Sequence, residues 1–369
     1  MKNFSLASSR FPFFLLITGV VLLLGSCTCV TCGDDDDGTG NGGMNTENDA
    51  FQRTDVETVE RIIALHSTQD ELQVFTKSEF LRVEMETDRV IQIRNFLPQF
   101  TALGQPATND LIFARGLRDT RDGSDEIEFQ LVLNQGEVRR FSIDSLTSSL
   151  LAIEDDGAQI GAFNDLGTIY VQPVIQRDER RLGMLIFSIA TDQTFFEFTD
   201  VSFVGLIDFP NVREAPRVVS SIRFIDDHFY IATKFGAYRL SESGLLETLI
   251  PNPTDIRDIF KYDGKFYATQ VSLAPMFTSD TGISWESSGI VSDLRLVDVF
   301  GDQLISQELE GWQYQITNEL TEITEPLMLN ESFGNVTNDQ FFGIEKFGSS
   351  FYLGFDNGLY KTDSLRASL

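Results

Sequence analysis

Ile222-Arg223-Phe224-Ile225-Asp226-Asp227-His228-Phe229-Tyr230 decides the fold. An apolar strand runs into two aspartates, and a second apolar strand follows. Such turn residues accept the positive φ that a tight two-residue hairpin demands. The pattern returns at residues 259–267 with Asp263-Gly264 at the turn, at 297–305 with Gly301-Asp302, and at 344–352 with Gly348-Ser349. Each copy predicts two antiparallel strands joined by a tight turn. A third strand follows at Gly236-Ala237-Tyr238-Arg239, Gly311-Trp312-Gln313-Tyr314 and Gly358-Leu359-Tyr360-Lys361, and a fourth alternating segment at residues 245–250.

Weaker copies lie upstream. Residues 72–75, 111–114 and 169–171 occupy the second-strand position, with alternating strands at 80–85, 128–132 and 184–189. About seven units result, irregularly spaced. No long stretch carries the apolar period of a helix. Four-stranded units repeated at such intervals predict an all-β fold, a β-propeller of about seven four-stranded blades. A β-sandwich pair or a β-solenoid is the alternative. The last unit stops after its third strand. The segment at residues 51–59 is therefore expected to supply the fourth strand and close the ring.

One motif supports this independently. Thr278-Ser279-Asp280-Thr281-Gly282-Ile283-Ser284-Trp285 matches Ser/Thr-x-Asp-x-Gly-x-Thr/Ser-Trp. It resembles the Asp-box of sialidases and related BNR-repeat propellers, over about one blade. The resemblance implies a structural role for Thr278, Asp280, Gly282, Ser284 and Trp285. Asp280 would accept turn amides, Gly282 would take positive φ, and Trp285 would pack between sheets. In that family the box lies away from the active centre, so it implies no catalysis.

The N-terminal region carries an address. An apolar run at residues 11–24 follows Lys2 and Arg10, and Leu24-Gly25-Ser26-Cys27 closes it. The run is shorter than the ~20 apolar residues a membrane-spanning helix needs and ends at a small-residue site. It resembles a bacterial lipoprotein signal, with residues 1–26 removed and Cys27 acylated. One acyl chain holds marginally, while two or three, of which palmitate is one, hold firmly. Residues 27–49 then include Gly33-Asp34-Asp35-Asp36-Asp37-Gly38, a stretch whose charges repel and whose glycines favour a solvated tether. Acid-rich stretches behind the lipidated cysteine resemble surface-export signals of some Gram-negative lipoproteins, and Thr28 replaces the aspartate that resembles inner-membrane retention. A lipid-anchored, outer-membrane, surface-exposed protein is expected, with residues 50–369 as the propeller. Cys29 and Cys32 have no nearby histidine to complete a zinc site; a local disulfide is allowed in an oxidising envelope compartment.

The chain of 369 residues has a net charge of −28, which argues against nucleic acid and anionic lipid as direct partners. With 32 phenylalanines against 2 tryptophans and 8 tyrosines, the core is expected to be Phe-rich, since Phe brings apolar area without a polar group to satisfy. Motifs for chemistry are absent. There is no Gly-x-Ser-x-Gly elbow, phosphate loop, dinucleotide fingerprint or His-Glu-x-x-His. A sialidase-like site would need an arginine triad and a Tyr–Glu pair, and Arg115, Arg118, Arg223, Arg239 and Arg257 match no such motif. His66 and His228 fall near turns and are expected at the surface. Asp119-Thr120-Arg121-Asp122-Gly123-Ser124-Asp125-Glu126 is an acidic hairpin loop with the oxygens for calcium but not the spacing of an EF-hand. Asp144-Ser145-Leu146 and Asp363-Ser364-Leu365 resemble an O-glycan acceptor of envelope proteins. No cofactor is expected, calcium being the one weak candidate. The sequence points to a binding or scaffolding module for a protein or glycan partner. The rivals are a glycan-active propeller enzyme and an assembly factor for an envelope complex.

Overall fold

A computed structural model describes residues 52–56, 62–67, 71–76, 79–84, 87, 89–95, 102–104, 112–119, 126–133, 138–142, 151–152, 161–176, 181–192, 197–213, 218–251, 254–271, 274–291, 295–300, 303–307, 314–317, 327–328, 341–355 and 358–363. The expectations at Cys27, Cys29 and Cys32, the tether, residues 120–125 and the 144–146 and 364–365 glycan motifs lie outside these residues.

Every regular element among the described residues is a strand, and the strands form seven antiparallel sheets. A short β1 (Gln52–Arg53) precedes the first sheet, which comprises β2 (Ile62–Ser67), β3 (Glu71–Thr76), β4 (Glu79–Glu84) and β5 (Arg89–Asn95). The second is β6 (Ala102–Gly104), β7 (Ile112–Asp119), β8 (Glu126–Leu133) and β9 (Val138–Ser142). The third holds β10 (Leu151–Ala152), β11 (Ala162–Phe163), β12 (Ile169–Gln176), β13 (Arg181–Asp192) and β14 (Glu197–Arg213). Sheet four is β15 (Val219–Ile225), β16 (His228–Thr233), β17 (Gly236–Ser241) and β18 (Leu246–Ile250); sheet five is β19 (Ile256–Tyr262), β20 (Lys265–Gln270), β21 (Pro275–Ser279) and β22 (Glu286–Val291). Sheet six is β23 (Arg295–Phe300), β24 (Gln303–Gln307), β25 (Tyr314–Thr317) and β26 (Leu327–Met328). The last holds β27 (Phe341–Phe347), β28 (Ser350–Phe355) and β29 (Gly358–Thr362), in the order β1-β29-β28-β27. The fold is a β-propeller.

Two of the repeated turns behave as their residues predict, and the turn at Gly301-Asp302 lies outside the described residues. Asp226 and Asp227 sit at φ 47° and 63°, and Asp263 and Gly264 at 48° and 75°. These left-handed angles match the right-handed twist of the flanking strands. Five sheets share a feature that alternation does not reveal. Ile63, Ser220, Arg257, Val297 and Phe342 are each an extra residue, one or two places into the first strand of the sheet, where the register with the second strand shifts. A bulge bends its strand and strengthens the local twist, and the same bend recurs where each of these sheets begins.

The first and last sheets share one core. Val56, Ile62, Leu72, Val74, Phe347 and Leu359 are buried together in it. Gly354 is required there, because a Cβ would stand 2.5 Å from Cγ2 of Ile62. Beside this core, β1 pairs with β29 through Gln52↔Lys361 and Arg53↔Tyr360, in the outer position that residues 51–59 were expected to fill. Thr54 adds two donors to the Leu359 carbonyl, its N–H and its hydroxyl, both at 2.9 Å.

The third sheet departs from the pattern. Its first strand is broken: β11 pairs with the start of β12 at Tyr170 and Val171, and β10 with its end at Ile175 and Gln176. Pro173, which has no N–H to donate, lies between these paired positions. Phe75, Phe80, Phe187, Phe209, Phe229 and Phe260 are among the largest fully buried side chains. Each stabilises the fold by roughly 1.5–3 kcal/mol relative to exposure, without a polar atom to pair.

Candidate functional site at one end of the sheets

The turn joining the first two strands of a sheet and the turn joining its last two lie at the same end. In sheets three to five this end is described except for residues 193–196. Its described turns are Asn164-Asp165-Leu166-Gly167-Thr168, Asp226-Asp227, Ser241 to Leu245, Asp263-Gly264, and Asp280 to Trp285.

Asn164 organises the first turn. Its Oδ1 accepts the N–H groups of Thr168 and Ile169 at 2.8 and 2.9 Å, the way an Asn side chain imitates backbone in a turn. Its Nδ2 donates to Glu242 Oε1 at 2.5 Å, tying sheet three to sheet four. Lys261 Nζ reaches Asp226 Oδ2 at 2.5 Å and lies 5.2 Å from the centre of the Phe266 ring, tying sheet five to sheet four. The turns therefore form one neighbourhood.

That neighbourhood is acidic. Partial burial pushes the Asp165 carboxyl above the usual carboxylate range, and the charges of Asp227 and then Glu242 push it the same way. Lys265, 3.9 Å from Asp280, is the second cation among the described residues of these turns. Large apolar side chains stand among the carboxylates: Leu166 is 57% exposed, Leu245 63% and Ile283 52%.

The Asp-box segment occupies the turn between β21 and β22. Gly282 has φ +72° and a Cβ there would stand 2.3 Å from the Tyr230 hydroxyl, so only glycine fits. Trp285 packs against the core shared by sheets four and five, edge-on to Phe266 at 6.4 Å. Thr278 is buried in β21 and Ser284 is exposed. Asp280 differs from expectation: its side chain is 88% exposed. Ser279 Oγ accepts the turn amides instead, from Gly282 at 2.9 Å and Thr281 at 3.3 Å. The hydroxyl one residue earlier is the nearer acceptor and leaves the carboxylate in water.

The residues considered for chemistry are held elsewhere. Arg223 on β15 grips Asp258 on β19 with two hydrogen bonds of 3.0 and 2.8 Å, and Asp258 is fully buried. Arg239 pairs with Glu247 and hydrogen-bonds Tyr230. Burial raises the Tyr230 phenol above its ordinary pKa. Tyr230 is 2% exposed, so its phenol is closed off from solvent. Arg257 is buried on β19, while the side chains of Arg115 and Arg118 lie outside the described residues. His66 corrects the surface expectation: it is 5% exposed on β2, because strands on both sides of a propeller sheet are packed. His228 is half-buried, with Nδ1 2.9 Å from the Asp226 carbonyl. Among the described residues no cluster of His, Cys, Asp or Glu has metal-binding geometry.

No family model matches the chain, and no curated protein matches it. Solved structures do resemble it. The CNH domain of AfRom2 superposes with a TM-score of 0.50 at 11% identity, covering 86% of this chain and 100% of that one. The WD40 domain of Neurospora crassa Pan2 gives 0.44 at 11% identity, over 84% and 91%. Dihydro-heme d1 dehydrogenase NirN gives 0.47 at 11% identity, over 81% and 68%. At such identity the likeness concerns the fold alone.

Proposed function

We propose that this chain is a binding or scaffolding β-propeller held at the bacterial envelope by a lipid on Cys27, and that it engages its partner through the turns of sheets three to five. The observation that carries the binding reading is the contrast between two sets of side chains. Arg223 and Arg239 are paired with Asp258 and Glu247, and Tyr230 and Asp258 are buried. Leu166, Leu245 and Ile283 are exposed at turn tips, where polar residues are the rule.

The lipid anchor rests on the sequence at residues 11–27. Metabolic labelling with an alkyne palmitate tests it: the label is expected on the native chain and lost in Cys27→Ser. Label retained in that variant would overturn it. Protease shaving of intact cells tests orientation, since an outward-facing domain is digested without lysis. The binding reading is tested by crosslinking in intact membranes followed by mass spectrometry. The expected result is a recurrent partner linked at residues 160–170 or 241–285. Links confined to the opposite ends of the sheets would overturn the assignment of the face.

A further inference from the structure

The sequence of exposed and charged groups at this end of sheets three to five says what kind of partner it fits. Leu166, Leu245 and Ile283 are each more than half exposed. Single exposed apolar residues are ordinary on a protein surface. Leu166 and Leu245 sit on turns joined by Asn164 Nδ2 and Glu242, and Gly282, beside Ile283, packs on Tyr230 of the neighbouring sheet four. Around them lie Asp165, Asp227, Glu242 and Asp263. The two ammonium groups described at these turns already face Asp226 and Asp280. What remains is a negative surface with apolar protrusions. An acidic or neutral partner would leave those carboxylates uncompensated, whereas a cationic one with an apolar face complements both features.

We propose that the turns of sheets three to five form a docking surface for a basic, amphipathic segment of a partner protein, with Leu166, Leu245 and Ile283 as the apolar anchors and the surrounding carboxylates as the guide. This deepens the binding role proposed above and rests on it. Apolar anchors at the centre of such a contact supply affinity and slow release, while the carboxylates speed encounter and make it salt-dependent.

The test uses the full mature lipoprotein in nanodiscs and three synthetic 18-residue peptides. One is an amphipathic Lys/Leu helix, one replaces each Leu with Ser at equal charge, and one replaces each Lys with Glu. The Lys/Leu peptide is expected to bind at least ~10-fold tighter than either of the others, each tenfold being 1.4 kcal/mol. Leu166→Ser/Leu245→Ser/Ile283→Ser should remove that advantage while leaving Lys/Ser binding unchanged. Asp165→Asn/Asp227→Asn/Glu242→Gln should weaken both cationic peptides and flatten their salt dependence. All six positions are exposed, so circular dichroism should show both variants folded. Equal binding of Lys/Leu and Lys/Ser peptides would overturn the proposal, as would a triple-Ser variant that binds Lys/Leu normally. Failure here leaves the broader reading distinguishable. If intact-membrane crosslinks to a partner persist in the triple-Ser variant, the docking surface is wrong and the binding module stands.

Discussion

Single side chains decide the turn between β21 and β22. Ser279 Oγ receives two amides there, whereas Asp280 points into water. Ser279→Ala should therefore cost about 1 kcal/mol, and Asp280→Ala should fall within ~0.5 kcal/mol of the parent. Urea unfolding of both variants checks this; a larger loss at Asp280 would restore the acceptor role that the motif implies. Arg223 is a second decisive residue. Removing it leaves the fully buried carboxylate of Asp258 without its guanidinium, and Arg223→Ala should destabilise by about 3–5 kcal/mol. Asp258→Asn in the same background should recover part of the loss, because the buried charge is gone. A fully additive pair in thermal melts would refute the coupling.

Elements tell how the sheets are joined. Gly354 on β28 admits Ile62 from β2, and this contact links the last sheet to the first. Gly354→Ala is expected to cost about 1–3 kcal/mol by overpacking. In an Ile62→Ala background the same change should cost clearly less, with a coupling of at least ~1 kcal/mol. Additivity in a denaturation double-mutant cycle would mean that this contact does not couple the two sheets. Most of this architecture was legible. Asp226-Asp227 and Asp263-Gly264 announce the hairpins, and Leu72, Ile169 and Gly358 fall in the strands their alternation suggests. The bulges at Ile63, Ser220, Arg257, Val297 and Phe342 were not legible. Residues 256–260 of β19 are buried without a break, so no exposed position marks the slip. The broken first strand of sheet three was hidden too, since Leu151–Ala152 and Ala162–Phe163 are each too short to show a period. At the candidate site, the acidic turns were visible in the sequence. Their coming together was not, because Asn164 and Glu242 are 78 residues apart.

At the scale of the whole molecule, charge governs behaviour. A chain of net charge −28 concentrates repulsion wherever carboxylates cluster, and at Asp165 the charges of Asp227 and Glu242 add to the larger effect of partial burial. Its carboxyl is held above the ordinary range in the folded state. The folded protein therefore binds that proton more tightly than the unfolded chain. Stability from this source is intact at acid pH and falls as pH rises through the raised value. Asp165→Asn should raise the Tm at pH 7 and make little difference near pH 4. Melting curves across that interval check it, and added salt should narrow the difference at pH 7. A variant that loses stability at pH 7 would show instead that the charge is compensated.

The pairing of β1 with β29 has a mechanical consequence. Gln52–Arg53 is the first described strand of the chain. Tension applied to the N-terminal segment reaches this strand before any other described one. It is resisted by a pairing of two residues and by the two bonds from Thr54 to Leu359. Val56, fully buried among the side chains of the first and last sheets, is the next point of resistance. The seam where the first and last described strands meet is thus also where a pulling force would be felt first, and Val56 is the peg that stops the peeling from going further.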